Sequence, residues 1–226
     1  MNALEGLRII DFTWLLAGPY ATRILADFGA EVIKVQSRKT ATGAESNTTG
    51  YFSTWNRNKL SITLDMTYPG ARDIVLKLVK VSDVVMENFT PRVMSNWGLS
   101  YENLKEVKPD IIMLSMSGMG QTGPWRDFVA LGSTVQAFSG ITHLTSFPQN
   151  PPLAGLFAAL AALAALDYRD KTGQGQHIDI SEYEAMSSLL GPAILDYTVN
   201  HNIAAPQGNS PGYISATPYG CYRCSG

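Results

Sequence analysis

Covalent cross-links and polyanion binding find little support in this sequence. Only two cysteines occur in 226 residues, Cys221 and Cys224. No second pair and no histidine stands near them, so a four-ligand zinc site is not assembled. Their Gly/Pro-rich setting is not the helix start at which a redox C-x-x-C works, and they read as incidental. Charged residues make up 16% of the chain and the formal net charge is -2. That leaves no broad basic surface for a phosphate backbone, and nucleic-acid binding is not expected. The longest apolar run, residues 153–166, falls short of the roughly twenty residues needed to span a bilayer, so no membrane association is expected. Residues 1–20 carry Glu5 and Asp11 inside their apolar stretch and no basic segment ahead of it. They do not form a signal peptide, and cytoplasmic residence is the expectation. The turn Thr13-Trp14-Leu15-Leu16-Ala17-Gly18-Pro19 lacks the G-x-G-x-x-G spacing that brings backbone against a pyrophosphate, which weighs against a nicotinamide oxidoreductase.

What is present is apolar and ordered. Hydrophobic residues make up 45% of the chain, enough for a sizeable core. Short β-branched runs alternate with helical patterns, which implies an α/β fold with a parallel sheet and covering helices. Residues 7–12 read as a strand, 20–28 as a helix closed by Gly29, and 31–35 as a second strand, a compact βαβ unit. Residues 37–50 read as a mobile loop and 60–64 as an edge strand. Further strands are expected at 83–86, 110–115 and 176–180. Helices are expected at 69–81, 91–96, 101–107, 128–138 and 153–168, and one more runs from the Ser181/Glu184 capping box to about Asn200. Residues 1–200 thus form one large domain, and residues 201–226 an irregular linker.

The second strand ends in Gln36, and Arg38 and Lys39 follow at once. Basic groups there suit either a nucleotide phosphate or solvated surface. Of the three histidines, His143 reads as a turn or core residue, His177 as a structural residue on one face of a strand, and His201, near a helix C-terminus, suits the macrodipole.

Several stretches together resemble the family III CoA transferases, the group that includes formyl-CoA transferase, carnitine CoA transferase and 2-methylacyl-CoA racemase. They are Leu7-Arg8-Ile9-Ile10-Asp11-Phe12, Ala17-Gly18-Pro19, Leu25-Ala26-Asp27-Phe28-Gly29-Ala30-Glu31-Val32-Ile33-Lys34-Val35, Asn58-Lys59, Asp83-Val84-Val85-Met86-Glu87-Asn88-Phe89, Gly123-Pro124-Trp125, Gln136-Ala137-Phe138-Ser139-Gly140, Ala154-Gly155-Leu156 and Thr172-Gly173-Gln174-Gly175-Gln176. The resemblance implies the Rossmann-like large domain of that fold, with the family's small domain absent. It also implies coenzyme A as the moiety carried, no metal, an acyl-CoA and a carboxylic acid as substrates, and an interlocked homodimer. The CoA-lining positions it implies are Leu16, Ala17, Arg38, Asn88 and Phe89, with Lys39 the alternative to Arg38.

The family's reaction runs through an aspartyl intermediate, and that aspartate belongs just before Ala154-Gly155-Leu156. Pro151 stands there without a gap, and residues 147–152 resemble a stretch normally found further upstream, which implies that the catalytic loop is deleted. Neither Asp127 nor Asp167 matches the position. The racemase branch uses a His and Asp pair soon after the Gly-Pro motif, and residues 127–136 hold no histidine. The expectation is therefore a CoA transferase scaffold. A CoA-binding or dimerising module without turnover is the alternative, and a racemase or nicotinamide oxidoreductase stands further off.

Overall fold

The computed structural model describes residues 2–144 and 153–206. Six strands, β1 (Arg8–Asp11), β2 (Glu31–Gln36), β3 (Leu60–Thr63), β4 (Val84–Glu87), β5 (Ile112–Ser117) and β6 (His177–Ser181), form one sheet in the order β3-β2-β1-β4-β5-β6. Every adjacent pair is parallel, with Ile10 opposite both Ile33 and Val85. The chain winds outward from β1 to β3 and then returns to lay β4 on the other side of β1. The order reverses between β1 and β4, and it is outside the carboxyl ends of strands at such a reversal that α/β sheets bind ligands.

Burial on both faces explains why the central strands are continuous apolar runs. Ile9, Val32, Val84, Met86, Ile112 and Leu114 face one side, where helices α1 (Ala17–Asp27) and α8 (Leu153–Thr172) cover them. Ile10, Val35, Val85 and Met113 face the other, beneath α3 (Ala71–Val79), α4 (Val93–Asn96) and α5 (Tyr101–Val107). Each fully buried Val, Leu or Ile contributes about 1.5–3 kcal/mol. The alanines at 158, 159, 162 and 165 are buried and let α8 lie close. At Gly155 it comes so near α1 that a Cβ would stand 2.5 Å from the Ala17 carbonyl oxygen.

Two expectations are corrected. Residues 37–50 are not simply a mobile loop: they contain a 3-10 turn, Gly43–Glu45, with Glu45 buried, and are followed by an unanticipated helix α2 (Gly50–Asn56). Thr49 caps α2 by accepting from the Phe52 amide at 3.1 Å, and Trp55 meets Tyr20 edge-on with the Arg23 guanidinium over both rings. The helix expected from Ser181 to Asn200 is two, α9 (Glu182–Ser188) and α10 (Gly191–Asn200), because Pro192 at the head of α10 cannot continue the preceding hydrogen-bond ladder. The remaining helices are α6 (Gly132–Ser139) and the short α7 (Ile141–Leu144). None of the residues of α10 is buried, and it exposes Ile194, Leu195, Tyr197 and Val199. Among the described residues no helix is long and apolar enough to cross a membrane.

Candidate functional site

The β1–α1 connection and the end of β4 meet at the reversal of strand order. Asn88 binds them together: its Oδ1 accepts from the Trp14 amide at 2.7 Å and its Nδ2 donates to the Trp14 carbonyl at 3.0 Å. The next residue, Leu15, adopts a left-handed backbone (φ 62°) and donates its amide to Glu45 Oε1 at 2.7 Å. Residues with a Cβ seldom hold that conformation without fixed partners. Here Asn88 and Glu45 supply them, from 74 and 30 residues away.

Beneath this loop lies a buried charge cluster. Asp11, fully buried, accepts from Lys59 Nζ at 3.0 Å, Thr22 Oγ1 at 2.8 Å and Thr13 Oγ1 at 2.5 Å. Lys34 donates to the Thr13 carbonyl, and its Nζ stands 3.8 Å from Glu45 Oε2. Burial pushes the Asp11 carboxyl up, but Lys59, Lys34 and the hydroxyl of Thr13 outweigh it and hold its pKa at about 2. Lys59 is drawn down to about 8 by burial, with Asp11 opposing. Two cations and two anions therefore neutralise one another under the loop, as a buried charge requires.

Two cavities flank the loop. The first, about 250 Å³, is lined by Leu16, Ala17, Asn88, Phe89, the segment 129–132, Val135 and Gln136 of α6, and Glu182 and Met186 of α9. The second, about 170 Å³, is lined by Phe12, Val35, Ser37, Lys39, Asp65 and Trp97 among others. Trp14 and Phe89 line both, meeting edge-on at 5.3 Å, and Phe89 continues to Trp97 at 5.4 Å. The pair is a shared aromatic wall along which one long ligand can lie.

The structure brings Leu16, Ala17, Asn88 and Phe89 together and leaves Arg38 apart. Arg38 is exposed, forms no ion pair among the described residues and lines neither cavity. Lys39 lines the second cavity, with Nζ 2.8 Å from Asp65 Oδ2. Beyond β2 the chain turns, with the Thr40 and Ala41 amides donating to the Ser37 carbonyl, and Ser37, Lys39 and Thr40 line the cavity while Arg38 does not. Asp127 is exposed and accepts from Arg92 Nη2 at 2.9 Å through both oxygens, and Asp167 pairs with Lys171 at 2.6 Å. His177 shares a 3.0 Å hydrogen bond with Ser115 and stacks on Tyr101. His143 is exposed, and His201 forms the left-handed C-cap of α10. Pro151, Cys221 and Cys224 lie outside the described residues.

Two carboxyls were not singled out by the sequence. Glu87, buried at the end of β4, accepts from the Phe89 amide at 2.8 Å. Desolvation pushes it up to about 7, with the Ser115 and Phe89 hydrogen bonds opposing. Glu182 is likewise pushed up to about 7 by burial. As the first residue after a helix cap it carries the signature of a capping residue, and nothing local marks it as facing a cavity. Among the described residues no three His, Cys, Asp or Glu side chains gather as metal ligands.

A family model described as CoA-transferase family III matches residues 4–226. The chain is 40% identical over 223 residues to succinyl-CoA–D-citramalate CoA-transferase of Chloroflexus aurantiacus, covering 91% of the chain and 56% of that protein. It is 37% identical over 230 residues to acetyl-CoA:oxalate CoA-transferase of Acetobacter aceti, covering 93% of the chain and 59% of that protein. The chain therefore spans little more than half the length of these curated relatives. A crystal structure of a CAIB/BAIF family protein from Brucella suis superposes with a TM-score of 0.86 at 33% identity, covering 97% of the chain and 63% of that structure.

Proposed function

Because the chain belongs to the CoA-transferase family III, we propose that it binds a CoA thioester along the Trp14–Phe89 wall and transfers the CoA to a free carboxylic acid. The observation that carries this reading is the pair of cavities at the strand reversal, joined by those two rings. The thioester end belongs in the first cavity, between Leu16, Ala17, Asn88 and Phe89. The nucleotide end belongs in the second, where Lys39 is at hand for a phosphate. A volume of about 250 Å³ suits a short acyl chain, which agrees with relatives named for citramalate and oxalate. Short polar acids are thus the proposed acceptors, with succinyl-CoA or acetyl-CoA as donor.

The protein is further proposed to act as a cytoplasmic homodimer, without nucleic acid or membrane. Leu160 of α8, Leu195 of α10 and Ile203 are 65%, 62% and 82% exposed, and apolar surface of that extent favours association. Sedimentation velocity tests this, a monomer at micromolar concentration refuting it.

One observation favours a second reading, a CoA-binding module without turnover: residues 128–166 contain no aspartate or glutamate. Calorimetric titration with CoA, together with transfer assays from succinyl-CoA and acetyl-CoA to a panel of short acids, separates the two. Binding with transfer supports the transferase and binding alone the module. Absence of CoA binding refutes both.

A further inference from the structure

Glu87 is a buried titratable group beside the site, and the transfer of CoA proposed above makes no use of it. It is the last residue of β4, and its Oε2 accepts from the Phe89 amide at 2.8 Å. The Phe89 ring walls both cavities, meeting Trp14 on one side and Trp97 on the other. Between Glu87 and Phe89, Asn88 holds the Trp14 backbone. From inside the sheet, the carboxyl of Glu87 thus grips the turn that carries the shared aromatic wall.

Glu87 also faces a polar cavity of about 80 Å³ on the α4 and α5 side of the sheet. Ser115, buried and opposite Glu87 on β5, hydrogen-bonds its carboxyl, and the Ser115 hydroxyl is 3.0 Å from His177 Nε2. His177 lies on β6, the edge strand, and is exposed. His177, Ser115 and Glu87 therefore form a polar path from the surface to the Phe89 amide. Gln121 Nε2 lines the same cavity, buried and without a hydrogen-bond partner among the described residues, and a cavity of that lining admits water. A carboxyl reached in this way exchanges its proton while the protein stays folded.

The charged and titratable groups around the cavity are Arg92 ahead of α4, Tyr101 and Glu102 of α5, and His177 of β6, with Asp179 two residues further along β6. Arg92 is held by both oxygens of Asp127, and among the described residues no cation pairs with Glu87. Burial pushes the Glu87 carboxyl up to about 7, against the Ser115 and Phe89 hydrogen bonds and with Asp179 adding to the rise. His177 is drawn down by burial, with Asp179 and Glu102 opposing, and so is mostly neutral where Glu87 titrates.

We propose that Glu87 is a positioning residue that makes the CoA site pH-sensitive: its ionised carboxylate clamps the Phe89 amide, and its protonated form loosens that clamp. An ionised acceptor holds an amide about twice as strongly as a neutral one. The wall is therefore firmer, and CoA binds more tightly, as pH rises through about 7. By linkage, bound CoA favours release of the Glu87 proton. Glu182 in the first cavity titrates in the same range, so the contribution of Glu87 is read from the ratio of a variant to the parent chain at each pH.

The test, which rests on the CoA binding proposed above, measures Kd for CoA by calorimetry between pH 6 and pH 8. The full chain is compared with Glu87→Gln, which keeps a neutral acceptor and cannot ionise. The ratio of variant Kd to parent Kd is expected to rise from about one at pH 6 to roughly three to ten at pH 8. In a Ser115→Ala background the same rise should move to higher pH, because a hydrogen bond that favours the charged form is gone. A ratio that is constant or falls across this range overturns the inference and leaves the CoA-binding reading standing. A rise that Ser115→Ala does not move assigns the titration to another group and overturns it as well. If the parent chain binds no CoA at any pH, the CoA-binding reading fails and this inference with it.

Discussion

Replacing Asn88 with alanine removes both hydrogen bonds that hold Trp14, at 2.7 and 3.0 Å, without touching the sheet. Each is worth about 1 kcal/mol net, and Trp14 is only half-buried, so water partly replaces them. The expected loss is about 2 kcal/mol of stability, read in urea as a lower midpoint at unchanged slope. For a chain of this size that corresponds to a Tm lower by about 4–8 °C. The same loop lines both cavities, so up to about 2 kcal/mol can also be lost from CoA binding, roughly a thirty-fold weaker Kd. Asn88→Asp retains an acceptor for the Trp14 amide but sets an anionic oxygen against the Trp14 carbonyl, and should do no better than alanine. If Asn88→Ala loses less than about 0.5 kcal/mol and binds CoA normally, the amide does not organise the loop and the reasoning fails.

Lys59→Met leaves Asp11 buried with its nearest cation gone, and about 3–5 kcal/mol should be lost; adding Asp11→Asn should recover much of it, measured by denaturant titration. Glu87 has a folded-state pKa of about 7 because burial disfavours its charge. The folded state therefore holds a proton that the unfolded state releases between about pH 4.5 and 7. Its contribution is complete below that window and lost as pH rises through it, on the order of 3 kcal/mol at most. Glu87→Gln should flatten that fall and be more stable than the parent chain at pH 8. Asp11 has the opposite sign: its folded-state pKa of about 2 gives stability present above about pH 4 and lost towards pH 2. At Gly155, valine would drive a Cβ against the backbone of Ala17 and Ala21. A loss of about 1–3 kcal/mol should follow, and weaker CoA binding with it, because Ala17 lines the first cavity; calorimetry reads both.

The centre of the sheet was legible because β1, β2, β4 and β5 are short apolar runs buried on both faces, a pattern that needs no knowledge of partners. The strands expected at 31–35 and 83–86 lie within a residue or so of β2 and β4. Helix α2 was not legible for the same physical reason in reverse. It buries no residue, so no apolar stripe repeats at helical spacing. What fixes it is a threonine cap and the Trp55 ring, which meets Tyr20 on another helix. The break at Gly191-Pro192 was written in the sequence, but the capping signal at Ser181 masked it, since one strong start does not say where a helix ends.

The site divides along a similar line. Leu16, Ala17, Asn88 and Phe89 came from family motifs, and no periodicity would have placed them in one cavity. Glu45 and Glu182 had no motif at all. Glu45 matters because a loop folds back to meet an amide 30 residues earlier, and Glu182 because α9 is hung from the turn after β5 by the bond between the Tyr183 amide and the Gly118 carbonyl. A carboxylate's chemistry depends on what surrounds it, and that is a property of the folded neighbourhood. Residue type and spacing show which groups are able to react; which acidic side chain stands at a cavity, and what it meets there, is decided only by the fold.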